Sequence, residues 1–148
     1  ALKLFCSYAR KDKALLELLD TRLKILERQR LIQVWYDEYV LAGEDWQEEI
    51  NENLKSADII LLLVSTDFLA SEHCHTEWKI AMKLHQQGKA TVVPIHVRAA
   101  ETDGTSFHYL QRLPSGLRPI AQCSDRDEAW LNVERGIRRV IADIKRRR

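Results

Sequence analysis

Asp58 is followed by the unbroken apolar run Ile59-Ile60-Leu61-Leu62-Leu63-Val64, with none of the alternation that a strand wet on one face would show. A strand of that kind is covered on both faces, as an inner strand of a parallel sheet between two helical layers is. Parallel neighbours need long crossovers, so the chain around this run should alternate strand and helix.

It does. Leu2 to Ser7 reads as a first strand, followed by a helix whose Leu15, Leu19, Leu23 and Leu26 recur at helical spacing. Ile32 to Tyr36, β-branched and aromatic, reads as a second strand; Asp37 to Gly43 reads as loop, and Trp46, Ile50 and Leu54 mark a second helix. A third helix is expected over Glu72 to Gln87, stopped at Gly88. Thr91 to Val97 is a strand despite Pro94, which should push it to an edge or bulge. Residues 99–117 form a long loop, Arg118 to Ala121 a short last strand, and Trp130, Val133, Ile137, Val140 and Ile144 line a final helix capped by Asp125 or Asp127. The expected architecture is an α/β, flavodoxin-like, five-stranded parallel sheet with helices on both faces, its functional crevice at the carboxyl ends of the strands.

A length of 148 residues holds one core, so residues 1–148 are taken as a single domain. Lacking an initiator Met and entering a strand at once, it is expected to be a module of a longer protein. A net charge of +1 gives no field to hold a nucleic-acid backbone, and the basic run Lys145 to Arg148 reads as a solvated helix end. No apolar run is long enough to span a bilayer, so neither membrane nor nucleic acid is an expected partner. Cys6, Cys74 and Cys123, odd in number and scattered, point to free thiols and a cytoplasmic location.

The fold hosts many chemistries, so the loops must choose among them. The five glycines never approach the spacing of a dinucleotide or P-loop phosphate cradle. Ser7-Tyr8 and Ser65 stand where a phospho-acceptor domain needs carboxylates for Mg²⁺, and no serine sits in a nucleophile elbow. His73, Cys74 and His75 point about 100° apart on a helix and cannot converge on one zinc, so no metal is expected. Cys74 reads as a packed residue rather than an activated nucleophile. Trp35 and Trp46 read as core aromatics. Glu77 stands apart. It shares a helical stripe with the apolar Ile80, Ala81 and Leu84, so a carboxylate points where the core should be. It is either paired, with Arg10 for example, or placed at the mouth of the crevice.

Phe5-Cys6-Ser7-Tyr8, Tyr36-Asp37 through Gly43-x-x-Trp46, and Ser65-x-x-Phe68-Leu69-x-Ser71-x-x-Cys74-x-x-Glu77 together resemble the TIR (Toll/interleukin-1 receptor) domain, specifically its bacterial NAD-cleaving members. Val93-Pro94-Ile95 and Arg126-Asp127-Glu128-Ala129-Trp130 are similar to the same family. The resemblance implies that Glu77 is the catalytic residue. It further implies that Ser7, Tyr8, Ala9 and Arg10, then Asp37, Leu41, Gly43 and Trp46, then His73 and Cys74 surround the nucleotide. His73 stands where many members carry a large aromatic, and Leu41 where some carry an acid, leaving Asp37, Glu38 or Glu44 for a ribose contact.

The function so implied is an NAD⁺ glycohydrolase or cyclase, with NAD⁺ as substrate and no other cofactor. It would yield nicotinamide with ADP-ribose or cyclic ADP-ribose, be activated by self-association with other TIR domains, and serve bacterial immune defence. The alternative is a non-enzymatic adaptor, or a host-mimicking virulence module, working through TIR–TIR contacts alone.

Overall fold

The computed structural model describes residues 1–36, 43, 45–116 and 118–148. Strands β1 (Leu2–Ser7), β2 (Ile32–Tyr36), β3 (Ile59–Val64) and β4 (Thr91–His96) form a parallel sheet in the order β2-β1-β3-β4. Helices α1 (Lys13–Arg28), α2 (Trp46–Ser56), α3 (Thr66–Ala70), α4 (Glu72–Gln86) and α5 (Arg126–Arg147) follow the chain between and after them. Every side chain of β3 is buried, as its unbroken apolar run requires. Alternate residues feed two cores. Ile59, Leu61 and Leu63 pack with the apolar stripes of α1 and α5, whereas Ile60, Leu62 and Val64 pack with α2, α3 and α4.

In β1 the same alternation sends Leu4 and Cys6 toward α1 and α5 and Phe5 toward α2 and α4. Ser7, two residues beyond Phe5, therefore faces the α4 layer. The chain leaves β1 toward β2 on one side and returns through α2 to β3 on the other. The carboxyl ends of β1 and β3 thus flank the point where the strand order reverses, where open α/β sheets bind their ligands.

Among the described residues the sheet has four strands, not the expected five. Arg118 to Ala121 does not pair as a strand; a 3₁₀ turn over Ile120–Gln122 takes its place. Pro119 has no donor for a ladder, and Ile120 is fully buried as a plug in the α1/α5 core. The outer side of β4 is met instead by Leu113, which donates to Pro94 O (2.9 Å) and accepts from His96 N (2.8 Å). Residues 94 and 96 turn their backbone groups outward, so the donor that Pro94 lacks falls on the open edge and costs no sheet bond. The short helix α3 was also not expected. It forms because Ser65 accepts from Phe68 N at its start, and it ends at Ser71, which caps α4 in turn. Asp125, of the two acids considered, caps α5 by accepting from Glu128 N. Among the described residues no helix is long and apolar enough to cross a membrane.

Burial of His96, with Arg112 and His108 nearby, lowers its pKa to about 4. His85, which accepts the Val92 N–H at Nδ1, is lowered by burial in the same direction. Both imidazoles are neutral in the fold, and the unfolded chain binds their protons more readily. The stability they contribute is therefore present above the ordinary pKa of 6.5 and lost as pH falls from there through about 4 for His96. Thermal unfolding should report a loss of about 2 kcal/mol across that window, and His96→Gln should flatten the dependence. A melting temperature unchanged across the window would contradict this assignment.

Candidate functional site

Two polar clusters sit at the carboxyl end of the sheet. In the first, Ser7 at the end of β1 donates its hydroxyl to Glu77 Oε1 at 2.5 Å, across 70 residues of sequence. Glu77 lies in the second turn of α4 and is 2% exposed. One turn earlier on the same helix, His73 brings Nε2 to 3.1 Å from Glu77 Oε2. The imidazole of His73 lies against the indole of Trp46, the first residue of α2, with ring centroids 4.5 Å apart. A buried carboxylate is thus held between a strand-end hydroxyl and an imidazole, under an aromatic roof. Such a group is costly to bury unless its oxygens are met; here Oε1 accepts from Ser7, and Oε2 stands within ion-pair distance of His73 Nε2.

The second cluster fixes the loops around the first. Asp12 occupies the N-cap position of α1 but does not cap the helix with its side chain. Its fully buried carboxylate instead accepts from Ser65 Oγ at 2.5 Å and from Arg98 Nε at 2.7 Å. Arg98 also reaches Asp67 on α3 at 2.5 Å, and Lys11 stands 3.6 Å from the same carboxylate. The Arg98 guanidinium holds the Asp67 carboxyl below its usual range, and the hydrogen bonds to Asp12 and Asp67 hold the Arg98 proton more firmly than in water. The ends of β1, β3 and β4 are tied together by this one carboxylate.

Between the clusters opens a cleft of about 690 Å³. Tyr8, Ala9 and Arg10 form one wall, with Lys11 and Lys13 beyond them; Trp46 and His73 form another, and Asp67 and Ser71 close the side. Among the described lining residues three cations thus face one acid, already paired, and give this part of the cleft a positive rim. Glu77 opens not on this cleft but on a smaller pocket of about 210 Å³ between α2 and α4. Trp46 and His73 border both spaces and form the partition between them.

The structure therefore brings Ser7, Tyr8, Ala9, Arg10, Trp46, His73 and Glu77 into one region. Arg10 is exposed on the cleft wall rather than paired with Glu77. Cys74 is fully buried in the α2/α4 core and does not line the cleft, because its position on α4 faces the sheet. Trp46 is no core residue: it is 41% exposed, while Trp35 stacks on Phe5 at 5.4 Å as a packed aromatic should. A helix-start residue above a cleft has no neighbouring layer to bury it. Gly43 takes a left-handed φ of 89°, which suits glycine. Asp37, Glu38, Leu41 and Glu44 lie outside the described residues. Sequence reasoning missed Asp12, Asp67 and Arg98. The available signal was an N-cap-type acid ahead of the α1 periodicity, which reads as a cap and not as a tie to distant loops.

Comparison with known proteins agrees with this architecture. The family model for the TIR domain matches residues 4–132. An uncharacterized protein of Sinorhizobium fredii, y4lF, is 39% identical over 143 residues, covering 96% of this chain and 44% of that protein. The chain thus spans less than half the length of this curated relative. Among solved structures, the TIR domain of the Toll-related receptor TRR-2 from Hydra magnipapillata superposes with a TM-score of 0.65 at 19% identity, covering 93% of this chain and 99% of that one. A prokaryotic SEFIR domain gives 0.55 at 19% identity, covering 91% and 97%. The TIR domains of the activated Roq1 resistosome, which directly recognizes the pathogen effector XopQ, give 0.54 at 17% identity, covering 64% and 57%. At these identities the structural likenesses speak for the fold alone, but the family model covers most of the sequence, and the chain belongs to the TIR domain family.

Proposed function

We propose that this domain is an NAD⁺ glycohydrolase or cyclase in which Glu77 is the catalytic residue. The observation that carries the reading is the buried Glu77 carboxylate, hydrogen-bonded to the end of β1 and standing next to a positively rimmed cleft. The rim suits the diphosphate of a dinucleotide. Nicotinamide in NAD⁺ is already cationic, so the bond from its ring nitrogen to ribose C1′ breaks with the electron pair passing to that nitrogen, and no acid is needed. Positive charge develops on the sugar, and a carboxylate in a water-poor site stabilises it. Water then adds at C1′ and releases a proton, or an adenine nitrogen of the same molecule takes the place of water and gives the cyclic product. One acid is enough, unlike the pair that ordinary glycosides require.

Ser7 serves here as a positioning residue. Ser7→Ala should lower kcat about tenfold, the value of one hydrogen bond to a charged group, with KM little changed. A KM effect with intact kcat would place Ser7 in substrate binding instead.

Self-association belongs to the same proposal. The Roq1 TIR domains occur in an assembled resistosome, and a head-to-tail contact between copies can complete a cleft. Specific activity should then rise with protein concentration, and rise further when two copies are tethered or crowded; nicotinamide separated by chromatography is the readout. The family resemblance makes a bacterial defence role and a cytoplasmic setting parts of this proposal, and the longer relative, of which this chain covers 44%, makes membership of a longer protein another. The adaptor reading draws on one observation, the roofing of Glu77 by His73 and Trp46. No nicotinamide from either the free or the tethered domain would favour it.

A further inference from the structure

We infer that His73 is a positioning residue for Glu77 whose protonation withdraws the carboxylate from the sugar, so that cleavage carries an acid limb set by this imidazole. The inference rests on the NAD-cleaving reading above. His73 Nε2 lies 3.1 Å from Glu77 Oε2, one helical turn away on α4, and Glu77's other oxygen is held by Ser7. The carboxylate side chain is 3% exposed and the imidazole 29%, so their interaction is only weakly screened by water. Trp46 packs against the imidazole with ring centroids 4.5 Å apart, and an indole face favours a cation.

Among the described residues, the charged groups that line the two spaces beside the ring come from several elements. Arg10, Lys11 and Lys13, with the phenol of Tyr8, lie on the first-loop side; Asp67 lies on α3; and Glu72 and Glu77 lie on α4 itself, while Asp45 caps the start of α2 next to Trp46. The three cations disfavour a proton on His73 and the acids favour it, with Glu77 in direct contact. Two effects of that proton act in one direction. An imidazolium neutralises the carboxylate that must face a developing sugar cation, and it repels a pyridinium entering the cleft. When the proton leaves, Glu77 keeps its full charge, and the packing of His73 against Trp46 remains.

The experiment has two arms. In the first, the His73 imidazole resonances are titrated by NMR in the wild-type domain and in Glu77→Gln. The pairing predicts that the His73 pKa falls by about one unit in the variant; an unchanged value overturns the proposal, whether or not the domain cleaves NAD⁺. In the second, kcat/KM for NAD⁺ is followed against pH. The wild type should lose about tenfold per pH unit below the pKa that NMR assigns to His73. His73→Phe, which keeps the ring packing, and His73→Gln, which keeps a neutral polar group, should both lack that limb. A limb that persists at the same pH in both variants overturns the proposal. Absence of turnover at every pH, with the pairing intact by NMR, would instead overturn the NAD-cleaving reading on which it rests.

Discussion

Glu77→Gln is expected to reduce nicotinamide release about 10³-fold, equivalent to about 4 kcal/mol of lost transition-state stabilisation. The amide is nearly isosteric, so Ser7 still has an oxygen to donate to and α4 still packs against the sheet; what disappears is the negative charge. Glu77→Asp separates the two requirements. It keeps the charge but draws it back by one methylene, away from both Ser7 and the partition, and should fall between wild type and Gln. Near-UV circular dichroism and melting temperature should be close to wild type for Gln, because the buried group has become neutral and desolvating it is cheaper. If the Gln variant turns over NAD⁺ within a factor of about three of wild type at matched concentration, Glu77 is a structural acid and the chemistry lies elsewhere.

Asp12→Ala should have the largest effect on stability, a loss of about 3 kcal/mol or about 10 °C in Tm. The side chain is fully buried, and its removal leaves Ser65 Oγ without its acceptor and Arg98 without its nearer carboxylate. Because Ser65 also caps α3, the damage extends to the loop that precedes α4, and through it to Glu77. Asp12→Asn retains an acceptor for Ser65 but not the charge facing Arg98, so it should cost less than the Ala change. Thermal or denaturant unfolding measures both. Equal stability of Asp12→Ala and wild type would mean that the strand ends are held by packing alone.

How much of this was legible in the sequence varies with the distance over which each interaction acts. The inner strand was plain from Ile59 to Val64, because burial on both faces abolishes the alternation that polar exposure would impose. Glu77 was legible for the converse reason: a carboxylate in the stripe of Ala81 and Leu84 needs partners, and the fold supplies them. Its hydrogen bond from Ser7 was not legible, since Ser7 lies 70 residues away and nothing local links the two, whereas His73 stands one turn earlier on the same helix. The tie from Asp12 to Ser65 and Arg98 spans 53 and 86 residues, and each of the three residues has an ordinary local explanation as cap or loop. Trp46 misled because size argues for burial, whereas its place at the start of α2 leaves it above the cleft. The last strand misled because Arg118 to Ala121 is short and its core residue Ile120 can be buried equally well from a single turn.

The nicotinamide–ribose bond itself is the most direct witness to the central claim. Proton NMR of NAD⁺ incubated with the concentrated or tethered domain, at a pH above the His73 titration, should show the pyridinium resonances replaced by those of free nicotinamide, with ADP-ribose or its cyclic form appearing in equal amount. Pyridinium signals that persist undiminished beside a folded, tethered domain would contradict the account.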